Sequence, residues 1–262
     1  MRYFVEIAFD GTNYHGWQIN PPHLTLSETI QNKLSLLLRE KVKIYGCTRT
    51  DAGVHAISYF FHFDGEVNDF NDIAYRLNSI LPHDIIVKRI YPVRDDAHAR
   101  FSAITRTYIY VITNEKSPFL IRYALFTEKL PEIDFLNECS SFLTGEHDFR
   151  SFQTTGSPTL TSLVNVIKCQ WHLTHISFPC MNGAIKIPEI KALVFEIEAN
   201  RFLYMMVRNI VGTMLAMYHR NERPQKIKEI LEAKDRKRAY APAPANALFL
   251  LSVKYPQEIF DV

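Results

Sequence analysis

Asp51 lies in the run Cys47-Thr48-Arg49-Thr50-Asp51-Ala52-Gly53-Val54-His55-Ala56. Thr50-Asp51-Ala52-Gly53 has the residues of a tight turn, with glycine where a positive φ is wanted. The turn explains neither Arg49 nor His55. A carboxylate at a sheet edge beside an arginine is held ionised, which suits it to nucleophilic attack or to taking a proton. A second oddity is Arg208, inside the segment F-L-Y-M-M-V-R-N-I-V-G-T-M-L-A-M-Y over 202–218. A helix so apolar all round should be buried. A guanidinium buried with it needs a carboxylate or phosphate, because an uncompensated charge there costs several kcal/mol. A structural ion pair would meet that need, and a pairing with Asp51 is the sharper expectation. A third stretch, Asp96-Ala97-His98-Ala99-Arg100-Phe101-Ser102-Ala103, is followed closely by Thr107-Tyr108-Ile109-Tyr110.

The elements that must position these groups alternate between strand and helix. Residues 2–9 (R-Y-F-V-E-I-A-F) read as a strand, and 10–24 as a turn-rich loop. Thr25-Leu26-Ser27-Glu28 reads as a capping box opening a helix with Ile30, Leu34, Leu37 and Leu38 on one face. Strands follow at 42–47 and 54–63, a helix at 69–81 and a strand at 84–93, giving the order β-α-β-β-α-β of a ferredoxin-like sandwich. Beyond a connector at 95–103 the order recurs. Strands at 105–113, 163–174, 191–199 and 248–254 enclose helices at 133–143 and 200–219, with a short extra helix at 225–234. The expected fold is α+β, with two ferredoxin-like lobes, 1–94 and 104–262, whose antiparallel sheets flank a central basic cleft.

Composition narrows the classes. The chain of 262 residues is 47% apolar and 22% charged with only 9 glycines, which excludes a disordered or collagen-like chain. No run of about 18 apolar residues spans a membrane, and the first ten residues lack a signal-peptide core. A cytoplasmic location with reduced cysteines is therefore expected. Cys47, Cys139, Cys169 and Cys180 form no C-x-x-C pair and read as packing residues. His15, His55, His62 and His98 have no metal-ligand spacing, so no metal is expected. The net charge of +2 hides an asymmetry: 201–254 holds 11 basic against 4 acidic residues, and 88–122 holds 7 against 3. The run Lys234-Asp235-Arg236-Lys237-Arg238 is expected to contact phosphates.

T-R-T-D-A-G-V-H-A at 48–56 resembles the G-R-T-D-A-G-V-H-A signature of the tRNA pseudouridine synthase A family. Six other stretches resemble that family's blocks in the same order. They are F-D-G-T-N-Y-H-G-W-Q at 9–18, T-I-Q at 29–31, D-A-H-A-R-F-S-A at 96–103, T-Y-I-Y at 107–110, L-T-G-E-H-D-F-R-S-F at 143–152 and M-V-R-N-I-V-G at 206–212. A closing A-P-A-N-A-L-F-L spans 243–250. The resemblance implies a bilobed α+β fold and an isomerase that converts uridine to pseudouridine in the anticodon stem-loop of tRNA, at positions 38, 39 or 40. It implies Asp51 as the catalytic residue, Arg208 as its ion-pair partner, Tyr108 stacked on the target base and Arg49 contacting RNA. Leu248 would line the pocket, with His55 and Arg100 among the substrate-binding groups. No cofactor is called for, and a homodimer is implied. Thr48 and Ala247 stand where the family usually has glycine. The rival from another class is a non-catalytic RNA-binding module, in which Tyr59-Phe60-Phe61-His62-Phe63 would be the stacking platform.

Overall fold

The computed structural model describes residues 1–67, 69–154, 161–176 and 189–261. It is α+β and divides into two compact units. Residues 1–107 together with 249–262 form the first, and 108–248 the second. The strand at 248–254, read from sequence as part of the later lobe, thus belongs almost wholly with the first unit. Cys180 lies outside the described residues. Among those residues no helix is long and apolar enough to cross a membrane.

The first unit comprises β1 (Arg2–Phe9), α1 (Leu26–Leu38), β2 (Tyr45–Gly46), β3 (His55–Asp64), α2 (Phe70–Ile80) and β4 (Ile85–Val93). β1 pairs antiparallel with β3 (Val5 opposite Phe61) and with β4 (Val5 opposite Ile90). The other edge of β3 takes β2 antiparallel at its far end and β10 (Leu248–Lys254) parallel at its start, with Phe249 opposite His55. Alternation along β1 is weak because both faces of the sheet are covered. On one face Tyr3 meets Phe63 and Phe70 of α2. On the other Phe4 meets Tyr255 and Phe260. Tyr59, Phe60, Phe61, His62 and Phe63 are all buried. The run that a rival RNA-binding module would need as a stacking platform is core, as its inward-facing alternation suggests, since its strand lies between two covered faces.

The second unit contains most of β5 (Thr105–Thr113), β6 (Leu125–Phe126), α3 (Ile133–Ser141), β7 (Gly145–Asp148), β8 (Leu163–Ile176), β9 (Ile190–Ala199), α4 (Met206–His219) and α5 (Lys226–Ala233). Its strands run β5-β9-β8-β7, with β6 parallel beside β5. Trp171 of β8 faces Phe195 of β9 across an antiparallel ladder.

Three expectations change. Thr25 is the N-cap of α1, but its hydroxyl caps nothing. The first amides of the helix instead use main-chain acceptors, Leu26 N–H on Gly16 O and Ser27 N–H on Trp17 O. The strand expected over 42–47 shrinks to Tyr45–Gly46, because the amides of Val42 and Ile44 are taken by the Ser35 and Gln31 side chains of α1. The helix expected from residue 200 begins at Met206. Asn200 is paired both ways with Asn165, and Met205 sits at φ +59°, so neither can extend the helix.

Candidate active site

The loop from Cys47 to Val54 joins β2 to β3, and the aspartate rides on its sharpest point. The Val54 amide donates to the Asp51 carbonyl at 3.2 Å, closing a four-residue turn, and Gly53 takes φ +77°, as the turn reading required. The turn rests on the 10–17 loop. The Gly53 amide donates to Tyr14 O, and the Trp17 amide donates to Thr50 O, both at 3.2 Å. Asp51 and Ala52 are thus bracketed by main-chain bonds. Gly11 passes so close that a Cβ there would lie 2.0 Å from Val54 O, so any side chain would push the two loops apart. Asp51 itself is half-buried.

His55 opens β3 and is buried, its ring stacked on Phe249 at 4.7 Å. Its Nδ1 lies 3.1 Å from the Gly11 amide and 3.0 Å from Asp10 Oδ1. Both contacts meet on the one ring nitrogen, so the ring joins the Gly11 amide and the Asp10 carboxylate at the base of the loop. Asp10 Oδ1 already accepts from the amide and hydroxyl of Thr12. Placed this way, His55 fixes the loops under Asp51 from inside the fold.

Arg106 makes a second bracket. Buried, it donates to the carbonyls of Cys47, Ala103 and Arg100. One guanidinium therefore ties the Asp51 loop to the 98–103 loop. The latter is also held by the Ala99 amide on His62 Nδ1, the Tyr255 hydroxyl on Ala99 O and the Arg100 amide on His98 Nδ1. Arg49 and Arg100 stand exposed on these two tied loops and line one cavity of about 430 Å³, with Tyr45, His98, Phe101 and Trp17 among its walls. Burial pushes the Cys47 thiol up to about 12, so it is an inert packing group.

In the second unit Tyr108 is buried on β5, edge-on to Phe202 at 4.9 Å. Arg208 lies in the first turn of α4, and its Nε donates to Ala243 O at 2.8 Å while the Ala243 amide donates to Arg208 O. Leu248 is buried at the start of β10. Of the basic run, Lys237 and Arg238 are exposed, but Arg236 turns inward. Its guanidinium donates to Asn209 Oδ1, Ala239 O and Tyr240 O, and burial lowers its pKa. It acts as a structural clamp. Asn209, fully buried, passes the connection on to Phe152 O.

A family model described as tRNA pseudouridine synthase matches residues 140–256. The tRNA pseudouridine synthase A of Bacteroides thetaiotaomicron is 41% identical over 261 residues, covering 99% of this chain and 93% of the relative. The chain belongs to the tRNA pseudouridine synthase A family. The Bacteroides fragilis and Bdellovibrio bacteriovorus proteins of that name are 38% and 36% identical, covering 99% and 97% of this chain and 98% and 94% of the relatives.

The two departures from the tRNA pseudouridine synthase A pattern are benign in the backbone. Neither Thr48 nor Ala247 is among the residues with positive φ, so neither position needs glycine for its conformation. Two residues that matter here were not singled out from sequence. Gly11 sits in the F-D-G-T-N-Y-H-G-W-Q block, to which no task was given. Arg106, between the D-A-H-A-R-F-S-A and T-Y-I-Y blocks, is an arginine in a strand otherwise made of apolar, hydroxyl and aromatic residues.

Proposed function

We propose that this chain isomerises uridine to pseudouridine in the anticodon stem-loop of tRNA, at positions 38, 39 or 40, with Asp51 as the catalytic carboxylate, nucleophile or base. The observation that carries the reading is the Asp51 turn. A catalytic carboxylate gains most from being held in one place before the reaction, and here main-chain bonds on both sides hold it.

The reaction breaks the N1–C1′ bond of uridine, turns the base and rejoins it through C5, from which a proton leaves. An ionised Asp51 either attacks C1′ or removes the C2′ proton to give a glycal. Arg208 is assigned as the counter-charge that keeps Asp51 anionic. Tyr108 is assigned to stack on the extruded base, offsetting part of the few kcal/mol that unstacking costs, and Leu248 to line the pocket. Arg49 and Arg100, exposed on tied loops, are suited to the RNA backbone, as are Lys237 and Arg238. His55 is assigned to position the loops rather than to touch substrate. The finer fold reading of two ferredoxin-like lobes about a basic cleft goes with this proposal, and the order β4-β1-β3-β2 in the first unit supports it. So do a homodimer and a cytoplasmic location, which the family implies.

The test is release of tritium from C5 of the uridines of an unmodified tRNA. Release by the wild type and none by Asp51→Ala is expected. Tight tRNA binding by the wild type without release would replace the isomerase with an RNA-binding module.

A further inference from the structure

The cavity of the first unit has more in its walls than backbone recognition requires. Phe101 is 75% exposed and Tyr45 47%. The His98 ring packs 4.4 Å from Phe101 and 6.0 Å from Tyr45, so the three rings form a connected ledge. The Arg100 guanidinium lies over Phe101 at 5.4 Å. An exposed phenylalanine is ordinarily unremarked on a loose loop, but this loop is pinned by five hydrogen bonds already described, from Arg106, Ala99, Arg100 and Tyr255. The cleft is open to solvent and has a volume of about 430 Å³. Arg49 and Arg100 bring two positive charges to its rim, and Thr48 and Arg49 belong to the loop that presents Asp51.

We propose that this cavity is a subsite for one unstacked nucleotide of the tRNA adjacent to the target uridine, with its base on Phe101 and its phosphates on Arg49 and Arg100. The inference rests on the isomerase reading and adds to it a second point of grip. Every base offers a π-face, so stacking on Phe101 binds without demanding one sequence, while the arginines fix the backbone on either side. A protein that extrudes one nucleotide lowers the cost of the distortion by also holding its neighbour. Arg106 gives the coupling a physical route, since it binds the carbonyls of both Cys47 and Arg100.

Two measurements test this. In transcripts carrying 5-iodouridine at single positions beside the target, irradiation should crosslink one position to Phe101 or Tyr45. In the tritium-release assay, Phe101→Ala should lower kcat/KM about ten- to hundredfold, mostly through KM, with Phe101→Trp restoring it and Phe101→Leu not. Because Phe101 is so exposed, thermal melting of these variants should match the wild type. Crosslinks confined to other surfaces, or a kcat/KM for Phe101→Ala within twofold of wild type, would overturn the subsite. So would a silent Phe101→Ala beside an Arg100→Ala variant whose salt slope falls by about one, which would mean a phosphate contact alone. If the wild type releases no tritium, the isomerase reading itself fails and takes the subsite with it.

Discussion

The Asp51 loop and the basic run at 234–238 are held by opposite means. Under Asp51 the bonds are main chain to main chain: Gly53 to Tyr14, Trp17 to Thr50, Val54 to Asp51. In the basic run the anchor is a side chain, with Arg236 reaching Asn209 and two carbonyls. The first design holds its turn by peptide groups, those of Thr50, Asp51, Gly53 and Val54. The second consumes one cation to present its neighbours. A conspicuous charge in a sequence can therefore be framework, and a plain glycine can be what the chemistry stands on.

The contrast can be broken most severely at Gly11. Gly11→Ala should cost about a hundredfold in kcat/KM by tritium release, since a displacement of about 1 Å at a catalytic group has that effect. It should also lower the melting temperature, the added Cβ being forced against Val54 O. Normal turnover would mean that the loop under Asp51 is not what positions it. Next, Arg236→Ala should lose about 3 kcal/mol in urea unfolding, because several inward-facing acceptors lose their donor. Lys237→Ala and Arg238→Ala should stay within about 0.5 kcal/mol and instead each reduce the salt slope of tRNA binding by about one. Equal stability losses at all three positions would erase the distinction.

A third prediction concerns pH. Burial, with the nearby His98 and Arg2 charges, lowers the His62 pKa from 6.5 to about 4, and its Nδ1 accepts from Ala99. The unfolded chain binds the extra proton first. Stability from this group is thus complete above about pH 6.5 and falls as the pH drops toward 4, by up to about 3 kcal/mol. His62→Gln, which can accept the same bond without titrating, should flatten that part of the profile; an unchanged profile would remove His62 as its source. The smallest effects are expected at Thr48→Gly and Ala247→Gly, each under about 1 kcal/mol in unfolding and near wild type in turnover, because neither φ needs glycine.

Much of this was legible in the residues. β1, β5 and β10 have the limits that their β-branched and aromatic runs suggest, and the Asp-x-Gly turn carries the positive φ it asked for. What failed did so where one element supplied what another's local pattern claimed. The Thr25 cap was displaced by main-chain carbonyls of a loop before it. The amides at 42 and 44 went to α1 and not to a ladder. Residues 200–205 have helical apolar spacing, but Asn200 is paired with Asn165 across a turn of chain. The family's blocks were readable in the sequence, and the candidate residues as types within them. Their supports, Gly11 and Arg106, were not, because a close approach or a shared guanidinium leaves no periodic trace in a sequence.

The pairing of β10 with β3 has a consequence for synthesis. Phe249, which stacks on the His55 ring, and Leu250, opposite Ala56, are translated only after the whole of 108–248. A nascent chain carries the aspartate turn long before the ribosome delivers the strand that closes its edge. A chain released before Phe249 would carry the aspartate signature intact while the start of β3 lacked its parallel neighbour.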